Sequence, residues 1–131
     1  MIVLDTSAAI EVLLALPLGA QVQRHLERAD WQIAAPELLI IETLQVLRRR
    51  VAARVTTLQD ADEARGLLSD LNIRYYGHQI LANRIWELRE NLTAYDASFV
   101  ALTEALDSEL ITTDAQLTGA PGHDARIVLI Q

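Results

Sequence analysis

The chain opens on four apolar residues, Met1-Ile2-Val3-Leu4, which end at Asp5, and a helix-like stretch runs from Ser7 to about Leu14. A short apolar run with a helix behind it predicts a buried parallel strand that delivers a carboxylate to the sheet edge. The alternation then repeats. Helical spacing covers about Leu18 to Arg28, with Pro17 suited to its first turn, and Trp31 to Ala34 reads as a second strand. Pro36 opens a long helix to about Ala53, and Thr57 starts another that ends near Leu71. Asn72 to Tyr76 forms a third strand, stopped by Gly77, before helices from about His78 to Glu90 and from Thr93 to Leu106. Glu109 to Thr112 and Arg126 to Ile130 are the last two strands, with Gly119-Ala120-Pro121-Gly122 as the loop between them. Strands separated by helical segments predict a mainly parallel five-stranded sheet covered on both faces, a three-layer α/β/α sandwich.

Composition narrows the class. A length of 131 residues with 51% hydrophobic side chains builds one domain over 1–131 and leaves no room for a second. No apolar run approaches the roughly 20 residues of a membrane span, and the N-terminus lacks the basic flank of a signal peptide. Cysteine is absent, which excludes disulfides, thiolate chemistry and cysteine zinc sites and fits the reducing cytoplasm. The net charge of −7 argues against a general nucleic-acid-binding surface, which is normally basic, although clustered acids can hold a divalent cation that reverses the local sign. All 11 cationic residues are arginine, so any mechanism that needs a lysine is ruled out.

Four acids stand at positions that carry chemistry. Asp5 closes the first strand, at the edge where open α/β sheets bind ligands, though Asp, Thr and Ser also suit a helix start. Glu42 shares a helix face with Leu38, Leu39 and Val46; taken alone it reads as a surface side chain or a partner for Arg49. Asp96 stands three residues after Thr93, a pairing that also fits an ordinary helix cap. Asp114 follows the fourth strand, where a turn or cap role is again the plainer reading. Together they are less ordinary, because strand ends and the starts of following helices share one edge of a parallel sheet. Several unpaired carboxylates in one pocket raise one another's pKa, and oxygen-seeking divalent cations relieve that repulsion. Thr112 and Ser7 add hydroxyls that can orient a carboxylate or a water.

In this order the segments Ile2-Val3-Leu4-Asp5-Thr6-Ser7-Ala8, Pro36-Glu37-Leu38-Leu39-Ile40-Ile41-Glu42, Leu88 to Ala97 with Val100-Ala101-Leu102, and Leu110-Ile111-Thr112-Thr113-Asp114 resemble a PIN domain. More narrowly, they resemble the VapC-type toxins of bacterial toxin–antitoxin pairs, and the likeness covers nearly the whole chain. The resemblance implies a Mg²⁺-dependent (or Mn²⁺-dependent) endoribonuclease that cuts unpaired regions of structured RNA, with tRNA or rRNA loops as the expected targets. It also implies a homodimer, a cognate VapB-type antitoxin lying over the active site, and no membrane association. Asp5 and Asp96 are the expected metal ligands, and Asp114 a ligand or the holder of a metal-bound water. Glu42 is expected to support the metal ligands from behind, or to position and deprotonate the attacking water. Gln116 stands where some members carry a further acid, which bears on a second metal site and not on the first.

Other side chains carry weaker signals. Arg48, Arg49, Arg50 and Arg54 suit the C-terminal end of a helix, with phosphate or antitoxin contact as the functional alternative. Arg89 could reach RNA or brace a carboxylate. Most of the aromatic residues read as core, with Tyr95, beside Asp96, the one placed for substrate contact. The leucine-rich stretch between Val12 and Leu18 offers an apolar face to a second protomer or an antitoxin. His25, His78 and His123 lack an acidic partner at a telling spacing and read as surface or helix-start residues. Receiver domains and haloacid-dehalogenase-type phosphatases share the Asp5 pattern but require a lysine. The remaining rival is a catalytically silent PIN-like module that acts only by binding a protein.

Overall fold

The computed structural model describes all 131 residues, Met1–Gln131. Five short apolar runs become five parallel strands: β1 (Ile2–Leu4), β2 (Ile33–Pro36), β3 (Arg74–Tyr76), β4 (Glu109–Thr112) and β5 (Arg126–Leu129). They form one sheet in the order β3-β2-β1-β4-β5. Seven helices accompany them: α1 (Thr6–Leu13), α2 (Gly19–Arg28), α3 (Leu38–Ala52), α4 (Leu58–Asp70), α5 (Ala82–Glu87), α6 (Ala94–Ala105) and α7 (Ala115–Gly119).

The order of the strands explains the layering. The chain steps outward from β1 to β2 and β3, then crosses back to β4 and β5 on the other side of β1. Crossovers between parallel strands are right-handed, so helices connecting the outward steps cover one face and those on the return cover the other. Accordingly α1 to α4 pack on one another, while α6 lies across β1, β2 and β4 with α5 against it. The three-layer α/β/α sandwich expected from the pattern is present. Its central strands are buried on both faces: Val3, Leu4, Ala34, Leu110 and Ile111 have almost no exposure, and Phe99 and Leu102 of α6 fill the space beside them. The reversal of strand order falls between β1 and β4, and open α/β sheets have their ligand crevice at such a point, outside the C-terminal ends of the strands.

Several element limits differ from the sequence expectation, each for a local reason. Pro36 does not open α3; it closes β2 in register with Tyr76, and the Glu37 N–H continues the ladder to the Tyr76 carbonyl at 3.0 Å. Asp30 and Trp31 have φ values of 52° and 58°, and Asn72 has 51°. Left-handed backbone cannot belong to a strand, so β2 starts only at Ile33 and β3 at Arg74. The helix expected over 78–90 is a single 3₁₀ turn, Gln79–Leu81, followed by the short α5. The connection after β4 contains α7, where only a loop was expected.

Candidate active site

Register places Leu4 opposite Ile111, so Asp5 and Thr112, one step further along β1 and β4, meet across the crevice. The Thr112 hydroxyl donates to Asp5 Oδ2 at 2.7 Å, and the Ser7 hydroxyl donates to the same oxygen at 2.7 Å. Asp5 is only 6% exposed, yet these two contacts keep its carboxylate hydrogen-bonded, as burial demands. The same hydroxyls organise the chain around it: Ser7 Oγ accepts from Thr113 N at 3.0 Å and Thr112 Oγ1 from Asp114 N at 3.0 Å. Ser7 and Thr112 therefore connect the ends of β1 and β4 through their hydroxyls.

The other three acids approach from helix starts. Glu42 is half-buried, little more than one turn into α3, and its Oε1 accepts the Thr6 hydroxyl at 2.7 Å. Nothing in the sequence singled out Thr6 for this, because a threonine at a helix start has a ready local explanation. Asp96 lies in the first turn of α6, where its N–H donates to the Thr93 hydroxyl at 3.2 Å; the cap expected there has formed and the carboxylate is half-buried. Asp114 caps α7, its Oδ1 accepting from Gln116 N at 2.9 Å.

These carboxylates sense one another. Burial pushes the Glu42 carboxyl above its ordinary value, the Thr6 hydroxyl pulls it back, and the charges of Asp5 and Asp96 raise it again. Asp96 is raised by burial first, then by the charges of Asp5 and Asp114, against the Thr93 contact. None of the four carboxylates forms an ion pair; the ion pairs of the chain join Arg65 to Asp62, Arg84 to Glu87 and Glu104, and Arg126 to Asp107. The set is also open, since no three acidic or histidine side chains stand close enough to make a preassembled cation site. The charge of Asp5 thus bears on both Glu42 and Asp96, and that of Asp114 on Asp96, an arrangement of carboxylates that favours a proton or a hard cation among them.

The remaining expectations resolve around this crevice. His78 fills a helix-start role, its Nε2 accepting from Leu38 N at the head of α3 at 3.1 Å. Arg48, Arg49 and Arg54 are solvent-exposed and unpaired, and Arg50 donates to the Thr56 hydroxyl at 2.9 Å. Arg89 braces no carboxylate. It stacks on Trp86, 4.7 Å from the ring centroid, and Trp86 itself is exposed instead of part of the core. The sequence did carry that signal, because Leu81, Ile85, Leu88 and Leu92 mark the inward stripe and Trp86 falls off it. Val12, Leu14 and Leu16 line a groove of about 380 Å³ with Val55 and Leu67 on its far wall.

Residues 2–122 match the family described as the PIN domain. Ribonuclease VapC12 of Mycobacterium tuberculosis is 33% identical over 130 residues, 99% of each chain. Ribonuclease VapC1 of the same organism is 36% identical over 130 residues, 98% of this chain and 97% of that one. The VapC ribonuclease Mb0985 of Mycobacterium bovis reaches 41% over 120 residues, 90% and 89%. Among solved structures, VapBC2 from Rickettsia felis bound to a DNA fragment from their promoter matches with a TM-score of 0.74 at 14% identity, over 100% of both chains. DNA-bound VapBC from Salmonella typhimurium matches with 0.71 at 12%, over 97% and 96%. At those identities the two structures speak for the fold.

Proposed function

This chain belongs to the PIN-domain family, and on that premise we propose that it is the toxin of a toxin–antitoxin pair, an endoribonuclease that hydrolyses phosphodiester bonds in structured RNA, at tRNA or rRNA loops. The observation that carries this reading is the crevice between β1 and β4, where Asp5, Glu42, Asp96 and Asp114 act on one another's charge and no cationic side chain offsets it.

The donor set fits a hard divalent cation, Mg²⁺ or Mn²⁺, because every free donor in it is an anionic oxygen. Asp5, Asp96 and Asp114 would hold the ion. When bound, it supplies a lowered pKa for water and neutralises charge on a phosphodiester. The chain's own residues prepare the rest. Ser7 and Thr112 both occupy Asp5 Oδ2, which fixes the carboxylate plane and leaves Oδ1 without a hydrogen-bond partner. Asp114 uses Oδ1 to cap α7 and keeps Oδ2 free. Glu42 is oriented through Oε1 by Thr6, so Oε2 is its proton-accepting atom. A carboxyl whose proton affinity is raised by burial and by neighbouring charge suits the task of positioning a water and accepting its proton.

The partner is a VapB-type antitoxin, supported by the VapBC complexes among the similar structures. The Val12–Leu16 groove is the apolar surface available to it or to a second protomer of a homodimer. The cysteine-free chain has no helix long and apolar enough to cross a membrane, which suits a cytoplasmic RNA target. The open arrangement of the carboxylates favours one second reading, a catalytically silent PIN-like module that acts only through a protein partner. Purified, antitoxin-free protein incubated with total cellular RNA in Mg²⁺, in Mn²⁺ and in EDTA, beside Asp96→Asn, separates the two. Discrete fragments that require metal and vanish in the variant support the nuclease; folded protein with no cleavage in either metal supports the binding module.

A further inference from the structure

Trp86, at the C-terminal end of α5, is 68% exposed. The Arg89 guanidinium lies 4.7 Å from the centre of its ring, and Arg89 NH1 donates to the Trp86 carbonyl at 3.0 Å. Arg89 joins no ion pair, although Glu87 and Glu90 flank it in sequence. The two side chains therefore form a fixed, flat, cationic surface open to solvent, on a chain whose net charge is −7.

Its place in the fold gives that surface a direction. Arg84 of α5 pairs with Glu104 of α6, α5 packs against α6, and only the six residues 88–93 join the end of α5 to the start of α6. The turn after Trp86 accordingly leads toward the start of α6, where Asp96 stands seven residues beyond Arg89. Tyr95, beside Asp96, is 63% exposed. An unpaired base stacks on an aromatic ring or a guanidinium plane, and a nearby arginine meets its phosphate. A base already stacked inside a duplex cannot use such a surface. An acidic protein that cuts a polyanion also needs a local cation on the approach to its carboxylates, and Arg89 is the unpaired arginine on the segment that leads to Asp96.

We infer that the Trp86–Arg89 pair is a stacking platform for an unpaired nucleotide of the RNA substrate, next to the bond cut at the carboxylate crevice. This rests on the ribonuclease reading and adds to it the means by which single-stranded segments are preferred over duplex.

The test uses the full-length protein carrying Asp96→Asn, so that binding is measured without cleavage, and follows the fluorescence anisotropy of a fluorescein-labelled single-stranded RNA of about ten nucleotides beside a duplex of equal length. Adding Trp86→Ala weakens single-strand binding on the order of tenfold and leaves the weaker duplex binding nearly unchanged, whereas Trp86→Phe, which keeps a π face, retains most of the affinity. Arg89→Leu weakens binding to both RNAs. In the protein with Asp96 intact, Trp86→Ala raises KM and keeps kcat within about twofold, the signature of lost binding common to ground and transition states. Single-strand affinity unchanged in Trp86→Ala overturns the inference, including the case in which only thermal stability falls and the pair is a local helix brace. Loss of antitoxin binding with RNA affinity intact overturns it too, because the surface then belongs to the protein partner. Failure of the ribonuclease reading shows separately, as no cleavage by the Asp96 protein in any metal.

Discussion

The hydroxyl of Thr112, the last residue of β4, donates to Oδ2 of Asp5, the first residue after β1, at 2.7 Å. That one bond closes the crevice where the strand order reverses and sets the plane of a buried carboxylate. Thr112→Val keeps the shape and removes the hydroxyl. It leaves Asp5 with Ser7 alone and strands the Asp114 N–H, which now donates to Thr112 Oγ1 at 3.0 Å. The expected cost is about 1–3 kcal/mol in urea unfolding, with RNA cleavage lowered roughly tenfold or more because a misoriented ligand loses geometry and not charge. Unchanged cleavage would remove Thr112 from the supporting role.

Asp96→Asn is the cleaner way to silence the site. Its carboxyl is raised by burial and by the charges of Asp5 and Asp114, so neutralising it relieves repulsion in the metal-free protein. Unfolding midpoints in EDTA are expected to stay level or rise, while cleavage is abolished. Mg²⁺ or Mn²⁺ stabilises the parent by an amount that grows with concentration, reaching about 2.7 kcal/mol at a hundredfold excess over Kd, and Asp96→Asn shows little of that gain. An equal metal-dependent shift in parent and variant would take Asp96 out of the ligand set.

The fold and the place of the four acids were legible because both depend on periodicity. Short apolar runs alternating with helical spacing specify a parallel sheet, and acids at strand ends and helix starts then fall at one edge. What stayed hidden depended on single backbone angles and on partners far apart in sequence. Left-handed Asp30, Trp31 and Asn72 moved strand starts that apolar content alone put earlier. Thr6 holds Glu42 across 36 residues, and no local pattern marks such a pair. Asp114 shows a different limit, since it both caps α7 and stands in the crevice, and the sequence offers these as alternatives when the structure has both.

Gly19 marks a close approach that no other residue can make. A Cβ built on it would sit 2.5 Å from the carbonyl oxygen of Glu11 in α1, where the chain turns into α2 and Glu11 Oε2 accepts from Leu18 N at 3.0 Å. Gly19→Ala drives a methyl into backbone and is expected to destabilise by about 1–3 kcal/mol, enough to lower Tm by several degrees. Gly66, on α4 with open space around it, is the control: Gly66→Ala is expected to be neutral or stabilising by up to about 1 kcal/mol. Calorimetry of the two variants decides it, and equal behaviour would mean that α1 and α2 yield easily at this contact.

The Arg84–Glu104 pair should give stability a pH dependence of its own, apart from the acids of the crevice. Arg84 Nε and NH2 reach the two oxygens of Glu104 at 2.9 Å each, and Glu104 Oε2 also accepts from Asp124 N at 3.1 Å, which ties the 119–125 connection to α6. The Arg84 hydrogen bonds hold the Glu104 carboxyl below its ordinary value despite partial burial. The sign follows: the unfolded chain takes up the Glu104 proton at a higher pH than the folded one. The stabilisation is therefore complete above the ordinary carboxylate range and is lost as pH falls through the lowered folded value. Because Arg84 is about a third exposed and screened by solvent, the gain at neutral pH is about 1 kcal/mol. Urea unfolding of the parent and Glu104→Gln from pH 7 down to pH 3 should show a difference of that size at the top of the range that closes toward the bottom. A difference that stays constant with pH would mean that Glu104 acts through its hydrogen-bond geometry and not its charge.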